Sequence, residues 1–240
     1  MIEFFTIPAQ TLHSATIILV HGLGDSGHGL KQLATTPPSS NPLSWGTVNS
    51  FSHMRSSPKR AITANSGRQM PAWYDVRSFS PPAADDEAQM LESLAWLEGL
   101  IDNEVAAGIA LQRIVVGGFS QGGTMSLLLA LVSKLRVRGV AVLSGRLPLR
   151  DAQGGYSRAK ELSVPQAAST PIFWGHGKAD AVLTYTLALT SIEYLTSEIG
   201  VPPSTGGTTG LTFNAYEELG HSISSQEIDD LVAWLQNIVP

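Results

Sequence analysis

The 240-residue chain contains no cysteine. That single absence excludes disulfides, thiolate metal sites, a thiol nucleophile and S-palmitoylation of the chain itself. Charge is also scarce: only 15% of the residues are Asp, Glu, Lys or Arg, against about 25% in an average soluble domain. The formal net charge is −5, from 20 acidic and 15 basic residues without a basic run, so no nucleic-acid partner is expected. Long apolar runs are missing too. The longest wholly apolar stretch, Leu127–Val132, falls far short of the ~18–20 residues that cross a bilayer. Met1-Ile2-Glu3-Phe4-Phe5-Thr6-Ile7-Pro8 carries an acid where a secretory leader needs basic residues. A cytoplasmic protein is expected. What the chain does have is apolar content, 43%, enough to bury a core without staples or metals. Residues 1–240 are read as a single domain, a size at which α/β folds close as one unit.

Apolar segments of strand length alternate with longer helical patterns. Strands are expected over Thr16–Val20, Arg113–Gly117, Gly139–Leu143, Pro171–Trp174 and Leu211–Tyr216, with Glu3–Ile7 as an antiparallel edge. Helices are expected over Asp86–Ala107, Gln121–Lys134, Tyr185–Ile199 and Gln226–Ile238. In the first of these, Leu91, Leu94, Leu97, Ile101 and Val105 form an apolar stripe at three- and four-residue steps. Asp85, Asp86 and Glu87 complement the positive end of its dipole, and Gly108 stops it. The alternation predicts an α/β fold, a mostly parallel central sheet with helices on both faces. Thr35–Arg60, rich in Pro, Ser and Asn, and the Pro/Gly/Thr stretch Pro202–Gly210 carry no element assignment.

The chemistry concentrates in Gly118-Phe119-Ser120-Gln121-Gly122. A G-x-S-x-G between a buried strand and a helix is a nucleophile elbow: a tight turn lifts the serine hydroxyl over the first amides of the helix. A serine needs a base, and of the six histidines (13, 21, 28, 53, 176 and 221) only His176 and His221 follow Ser120. The α/β-hydrolase order of nucleophile, acid, histidine selects His221, in the loop after the last predicted strand. Asp180, after the strand Pro171–Trp174, is the acid that would orient its ring; Asp151 is the rival, with no loop pattern aiming it at the same rim. His21-Gly22-Leu23-Gly24-Asp25-Ser26-Gly27 follows the first long strand. Such a loop brings a second backbone N–H to an oxyanion, so the expected donors are the amides of Leu23 and Gln121. His21 is read as a buttress of that loop. The Gly-Lys-Ser/Thr ending of a phosphate loop is absent, the glycine spacing fails the dinucleotide fingerprint, and no H-E-x-x-H occurs. No metal and no cofactor are expected.

Together these residues resemble the acyl-protein thioesterase and lysophospholipase-like carboxylesterase family of the α/β-hydrolase fold. The likeness runs through the oxyanion loop from His21 to Gly29, Met70-Pro71-Ala72-Trp73-Tyr74-Asp75, the elbow, Leu143-Ser144-Gly145 with Leu147-Pro148-Leu149, His176-Gly177 with Asp180, and Gly220-His221-Ser222. The resemblance implies a triad of Ser120, Asp180 and His221, with Met70, Trp73, Arg146 and Leu147 at the substrate. It also implies S-acylated proteins, lysophospholipids or small esters as substrates, transient contact with a membrane surface, and a monomer or weak homodimer. The chain departs from the family pattern at Arg146, where a tryptophan is common, and at Arg55-Ser56-Ser57-Pro58, in place of a P-x-A-P turn. It departs again at Ala64-Asn65-Ser66-Gly67-Arg68-Gln69, more polar than the loop that usually covers the acyl chain. Each buried CH₂ is worth ~0.8 kcal/mol, so the polar loop and Arg146 give an expectation of short- or medium-chain preference.

Overall fold

The computed structural model describes residues 4–7, 13–30, 50–55, 57–79, 83–206 and 208–239. In chain order the elements are β1 (Phe4–Ile7), β2 (Ala15–Val20), β3 (Ser50–Arg55), β4 (Lys59–Ile62), β5 (Arg68–Pro71), α1 (Glu87–Ala106) and β6 (Ile114–Phe119). They continue with α2 (Gln121–Val132), β7 (Gly139–Leu143), α3 (Ser157–Leu162), β8 (Ile172–Gly177), α4 (Tyr185–Ser197), β9 (Leu211–Tyr216) and α5 (Ser225–Ile238). Seven strands form one sheet in the order β1-β3-β2-β6-β7-β8-β9, and β4 pairs with β5 in a separate hairpin. Every neighbour in the large sheet is parallel except β1, which runs antiparallel along β3 at the edge.

The strands β2, β6, β7 and β8 are buried on both faces, and the two-residue period of the pleat sends alternate side chains to two cores. Ile18, Val116, Val140, Val142 and Trp174 join the cluster beneath α1, α2, α3 and α4. Ile17, Leu19, Val115, Ala141 and Phe173 join the other, closed by Ile228, Leu231, Trp234 and Leu235 of α5. The sheet is thus covered by helices on both faces, as the α/β reading expected. In α1 the buried stripe is Met90, Leu94, Leu97, Leu100 and Ile101, whereas Val105 is 42% exposed. In the last turn the inward position is taken by Glu104, buried against Thr16 of β2, and Val105 beside it faces out.

Two strands run further than their composition suggests. β6 extends through Gly117 and Gly118 to Phe119, and β8 through Gly175 to Gly177. The glycines mark close approach rather than an end: a Cβ on Gly117 would lie 3.0 Å from that of Ala141 on β7. The helices α2 and α4 stop two residues short, at Val132 and Ser197. Within Thr35–Arg60 the structure places β3 and the start of the β4–β5 hairpin; residues 35–49 and 56, like Glu3, lie outside the described residues. Pro202–Gly210 is a loop whose Pro203 bridges to Leu211. Among the described residues no helix is long and apolar enough to cross a membrane.

Candidate active site

In a parallel sheet the loops leaving the carboxyl ends of the strands share one rim. Four of those loops meet at Ser120. The residue itself has φ 54 and ψ −116, a left-handed backbone strained for any side chain but glycine. The turn holds because its flanks carry no Cβ. On Gly122 a Cβ would stand 1.9 Å from the Val20 carbonyl oxygen, and on Gly118 it would stand 2.5 Å from the Gly122 carbonyl carbon. Ser120 N–H donates to the Leu143 carbonyl at 2.8 Å, which pins the turn to β7. The Gln121 N–H opens α2, where the first amides have no intrahelical acceptor.

From the loop after β9, His221 sets Nε2 2.9 Å from Ser120 Oγ. Its Nδ1 lies 2.7 Å from Asp180 Oδ2, in the loop after β8. The other carboxylate oxygen accepts N–H bonds from Val182 (2.8 Å) and Leu183 (2.9 Å), so Asp180 is held at both ends and its side chain is fully buried. Two amides on Oδ1 and the ring N–H on Oδ2 satisfy a charged carboxylate in a dry place. The Phe119 ring packs 4.9 Å from the His221 ring, centroid to centroid. Asp151 is elsewhere: its Oδ1 accepts the N–H groups of Gln153 and Gly155 and closes its own turn.

The loop after β2 approaches from the other side. His21 is buried, its Nδ1–H donating to the Gly22 carbonyl at 2.6 Å while Nε2 accepts the Ser57 N–H at 2.9 Å. Those bonds fix one neutral tautomer, and burial lowers its pKa. Gly24, at φ +79, donates to the Pro71 carbonyl at 2.8 Å, tying the loop to β5. The Leu23 N–H is left out of that anchoring.

His176 went unassigned in the sequence. It is fully buried, its Nε2 donating to the Leu183 carbonyl at 2.8 Å and lying 3.6 Å from Asp180 Oδ2, while Nδ1 has no partner. Burial lowers its pKa, so it stands as a neutral brace beside the acid. In the sequence it is marked by following Ser120 and by the His176-Gly177 pair shared with the family, neither of which gives it a role.

A cavity of about 540 Å³ opens beside Ser120 and His221. Leu23 and Gln121 line it, as do Tyr74, Thr124, Phe79 and Leu187. Of the four residues expected at the substrate, only Arg146 borders it. Leu147 and Trp73 are fully buried core residues. Trp73 is spent on structure: its N–H donates to Gln121 Oε1 at 2.8 Å and its Nε1–H to the His21 carbonyl at 2.9 Å. Met70, half-buried on β5, stands behind the oxyanion loop, its Sδ 3.8 Å from where a Gly24 Cβ would be. The polar loop is the turn of the β4–β5 hairpin; Arg68 and Gln69 are exposed and do not border the cavity. Arg146 is buried and paired with Asp85, donating from Nη1 to Asp85 Oδ2 at 2.9 Å and from Nη2 to Asp85 Oδ1. Burial works against the guanidinium, but the Asp85 charge outweighs it and holds the Arg146 pKa above its ordinary value. Tyr74 beside it is pushed up to about 12 by burial. Among the described residues no group of three or more His, Asp or Glu could hold a metal ion.

Known proteins resemble the chain in sequence and in fold. The phospholipase/carboxylesterase family model matches residues 2–239. An acyl-protein thioesterase 1 from Cryptococcus neoformans is 36% identical, over 98% of this chain and 96% of its own length. One from Yarrowia lipolytica is 34% identical, over 96% and 94%. Among solved structures, Arabidopsis thaliana SOBER1 superposes with a TM-score of 0.80 at 30% identity, covering 95% of this chain and all of that one. Zea mays acyl-protein thioesterase 2 gives 0.79 at 28% identity, over 99% of each. A match that runs from one end of the chain to the other, with relatives this similar over nearly their full length, means that the chain belongs to the phospholipase/carboxylesterase family, the esterases of the α/β-hydrolase fold.

Proposed function

We propose that this serine hydrolase cleaves acyl thioesters and carboxylic esters by acyl transfer to Ser120, with His221 as the base and Asp180 as its orienting acid. The observation that carries the reading is the unbroken relay, 2.9 Å from Ser120 Oγ to His221 Nε2 and 2.7 Å from His221 Nδ1 to Asp180. His221 takes the hydroxyl proton as Ser120 attacks the acyl carbonyl, and Asp180 stabilises the resulting imidazolium. The N–H groups of Leu23 and Gln121 receive the oxyanion. His221 then protonates the departing thiolate or alkoxide, and a water deprotonated by the same ring releases the acid.

S-acylated protein cysteines are the proposed acyl donors, because relatives similar over nearly their full length are acyl-protein thioesterases. Lysophospholipids or simple esters are the second reading, favoured by the family's phospholipase/carboxylesterase description. A short- or medium-chain preference rests on Arg146 alone, since the polar hairpin turn does not border the cavity.

A fluorophosphonate probe should label the native protein and not Ser120→Ala; equal labelling of both would overturn the assignment. Ser120→Ala should also lose ester and thioester turnover by a factor of about 10³ or more. Comparing kcat/KM for acylated peptide thioesters and matched small esters separates the two substrate readings. A chain-length optimum at sixteen carbons would overturn the short-chain preference.

A further inference from the structure

Two arginines line the cavity beside Ser120, and among the described residues only one of them is paired with a carboxylate. Arg146 and Asp85 form a closed pair, and Asp85 Oδ2 also accepts the Arg150 backbone N–H at 2.9 Å. Its carboxylate is therefore occupied. Arg150, half-buried and also in the cavity lining, makes one side-chain bond, Nε–H to the Ala83 carbonyl at 3.2 Å. No carboxylate among the described residues pairs with it, and residues 80–82, which precede Ala83 in the chain, contain no acid. Its Nη edge, with two NH₂ groups in a planar fork, is left to whatever enters.

The other titratable groups lining the cavity are Asp25, Tyr74 and His221. Asp25 sits on the oxyanion loop, whereas Arg150 follows β7 and stands with Arg146. Arg146 N–H donates to Thr124 Oγ1 at 3.3 Å, one helical turn along α2 from Ser120, and Arg150 borders the same cavity as the nucleophile. The walls of the cavity include Val76, Phe79 and Leu187. A guanidinium at the end of a partly apolar cavity binds a carboxylate well, because the fork is complementary to it and solvent screening is reduced.

We propose that Arg150 is a specificity residue that recognises a carboxylate on the substrate a few bonds from the scissile carbonyl. Half-esters and half-thioesters of short dicarboxylic acids are then preferred to neutral acyl groups of equal length. Asp25 repels the same anion and so favours one orientation. The inference rests on the acyl-transfer reading of Ser120.

The test measures kcat/KM on p-nitrophenyl half-esters of glutaric and adipic acid against neutral acyl esters of equal chain length. A second arm moves the carboxylate to the alcohol side, as the butyrate ester of 3-hydroxypropanoate against butyl butyrate. Glutarate is also titrated as a competitive inhibitor of a neutral ester. The expected result is a preference of about tenfold or more for the acyl-side carboxylate, falling toward unity in Arg150→Gln, partly kept in Arg150→Lys and weakened at high salt. Arg150→Gln should raise the glutarate inhibition constant by a similar factor. If Arg150→Gln fails to fold, Arg150→Lys and the salt dependence of the native ratio decide the matter. Neutral esters turned over at least as fast as both half-esters, with no glutarate inhibition, overturns the proposal while leaving the nucleophile assignment intact. A preference confined to the alcohol-side carboxylate overturns the acyl-side assignment. Absence of turnover on every ester together with absence of Ser120 labelling overturns both.

Discussion

A methyl group on Gly122 would stand 1.9 Å from the Val20 carbonyl oxygen and 2.7 Å from that of His21. Only a shift of β2 against α2 relieves that overlap, so Gly122→Ala is expected to cost about 3 kcal/mol or more and to abolish probe labelling. Gly99 in α1 is the control, since nothing lies within 4 Å of its missing Cβ. Gly99→Ala should stabilise by about 0.5–1 kcal/mol, read as a rise of a few degrees in Tm. Glu227 makes a third case. It is fully buried under Gly175, its carboxyl oxygens have no partner, and burial pushes its pKa up to about 8 from an ordinary 4.5. The folded chain therefore keeps a proton that the unfolded chain has released, and stability falls as pH rises from about 4.5 toward 8. Glu227→Gln should flatten that slope and raise Tm at pH 8 more than at pH 5, as thermal melts at the two values would show. An equal shift at both would mean that the carboxyl ionises in the folded state.

At the scale of elements, the Gln121 side chain joins two of them. Its Oε1 accepts the Trp73 N–H and its Nε2 donates to the Tyr74 carbonyl, both at 2.8 Å, which fastens the segment after the β4–β5 hairpin to the start of α2. Gln121→Leu keeps the backbone amide proposed for the oxyanion but leaves two buried main-chain groups unpaired. It should cost about 1–3 kcal/mol per group, and urea unfolding measures the loss. This linkage could not be read from the chain, because the hairpin was invisible there. Lys59–Ile62 and Arg68–Pro71 are four residues each, half of them polar, and the second ends in proline, compositions that suit loops as well as strands. The long elements are more legible: α1 announces itself by its acidic start, its period and Gly108, and β2, β6, β7 and β8 by short apolar runs between turns. Even there, α1 was read with Val105 on its inner face, which the helix turns outward.

For the whole molecule, the alternation of strand and helix carried the architecture, and the order Ser120, Asp180, His221 along the chain picked out the residues that the fold brings within hydrogen-bond reach. The residues around the substrate were harder to find. Trp73 and Leu147 sit in motifs beside the site, but adjacence in sequence does not say which way a side chain points, and both turn into the core. Arg146 borders the cavity as the family resemblance implies, but it is paired there with Asp85, 61 residues earlier in the chain. Long-range pairing of that kind leaves no local trace. His176 is visible in the sequence but its role is not, since that role lies in which groups surround it.

The relay beside Ser120 spans 101 residues of chain between its serine and its histidine, and His221 hangs from the strand at the far edge of the sheet. No fragment shorter than that can hold the geometry. Turnover is therefore a clock for the last step of assembly. During refolding from denaturant, helical circular dichroism should return first and ester hydrolysis only once β9 has docked, because contacts this distant in sequence are slow to form. A stopped-flow experiment recording both signals would show the lag, and its length would time the closing of the sheet.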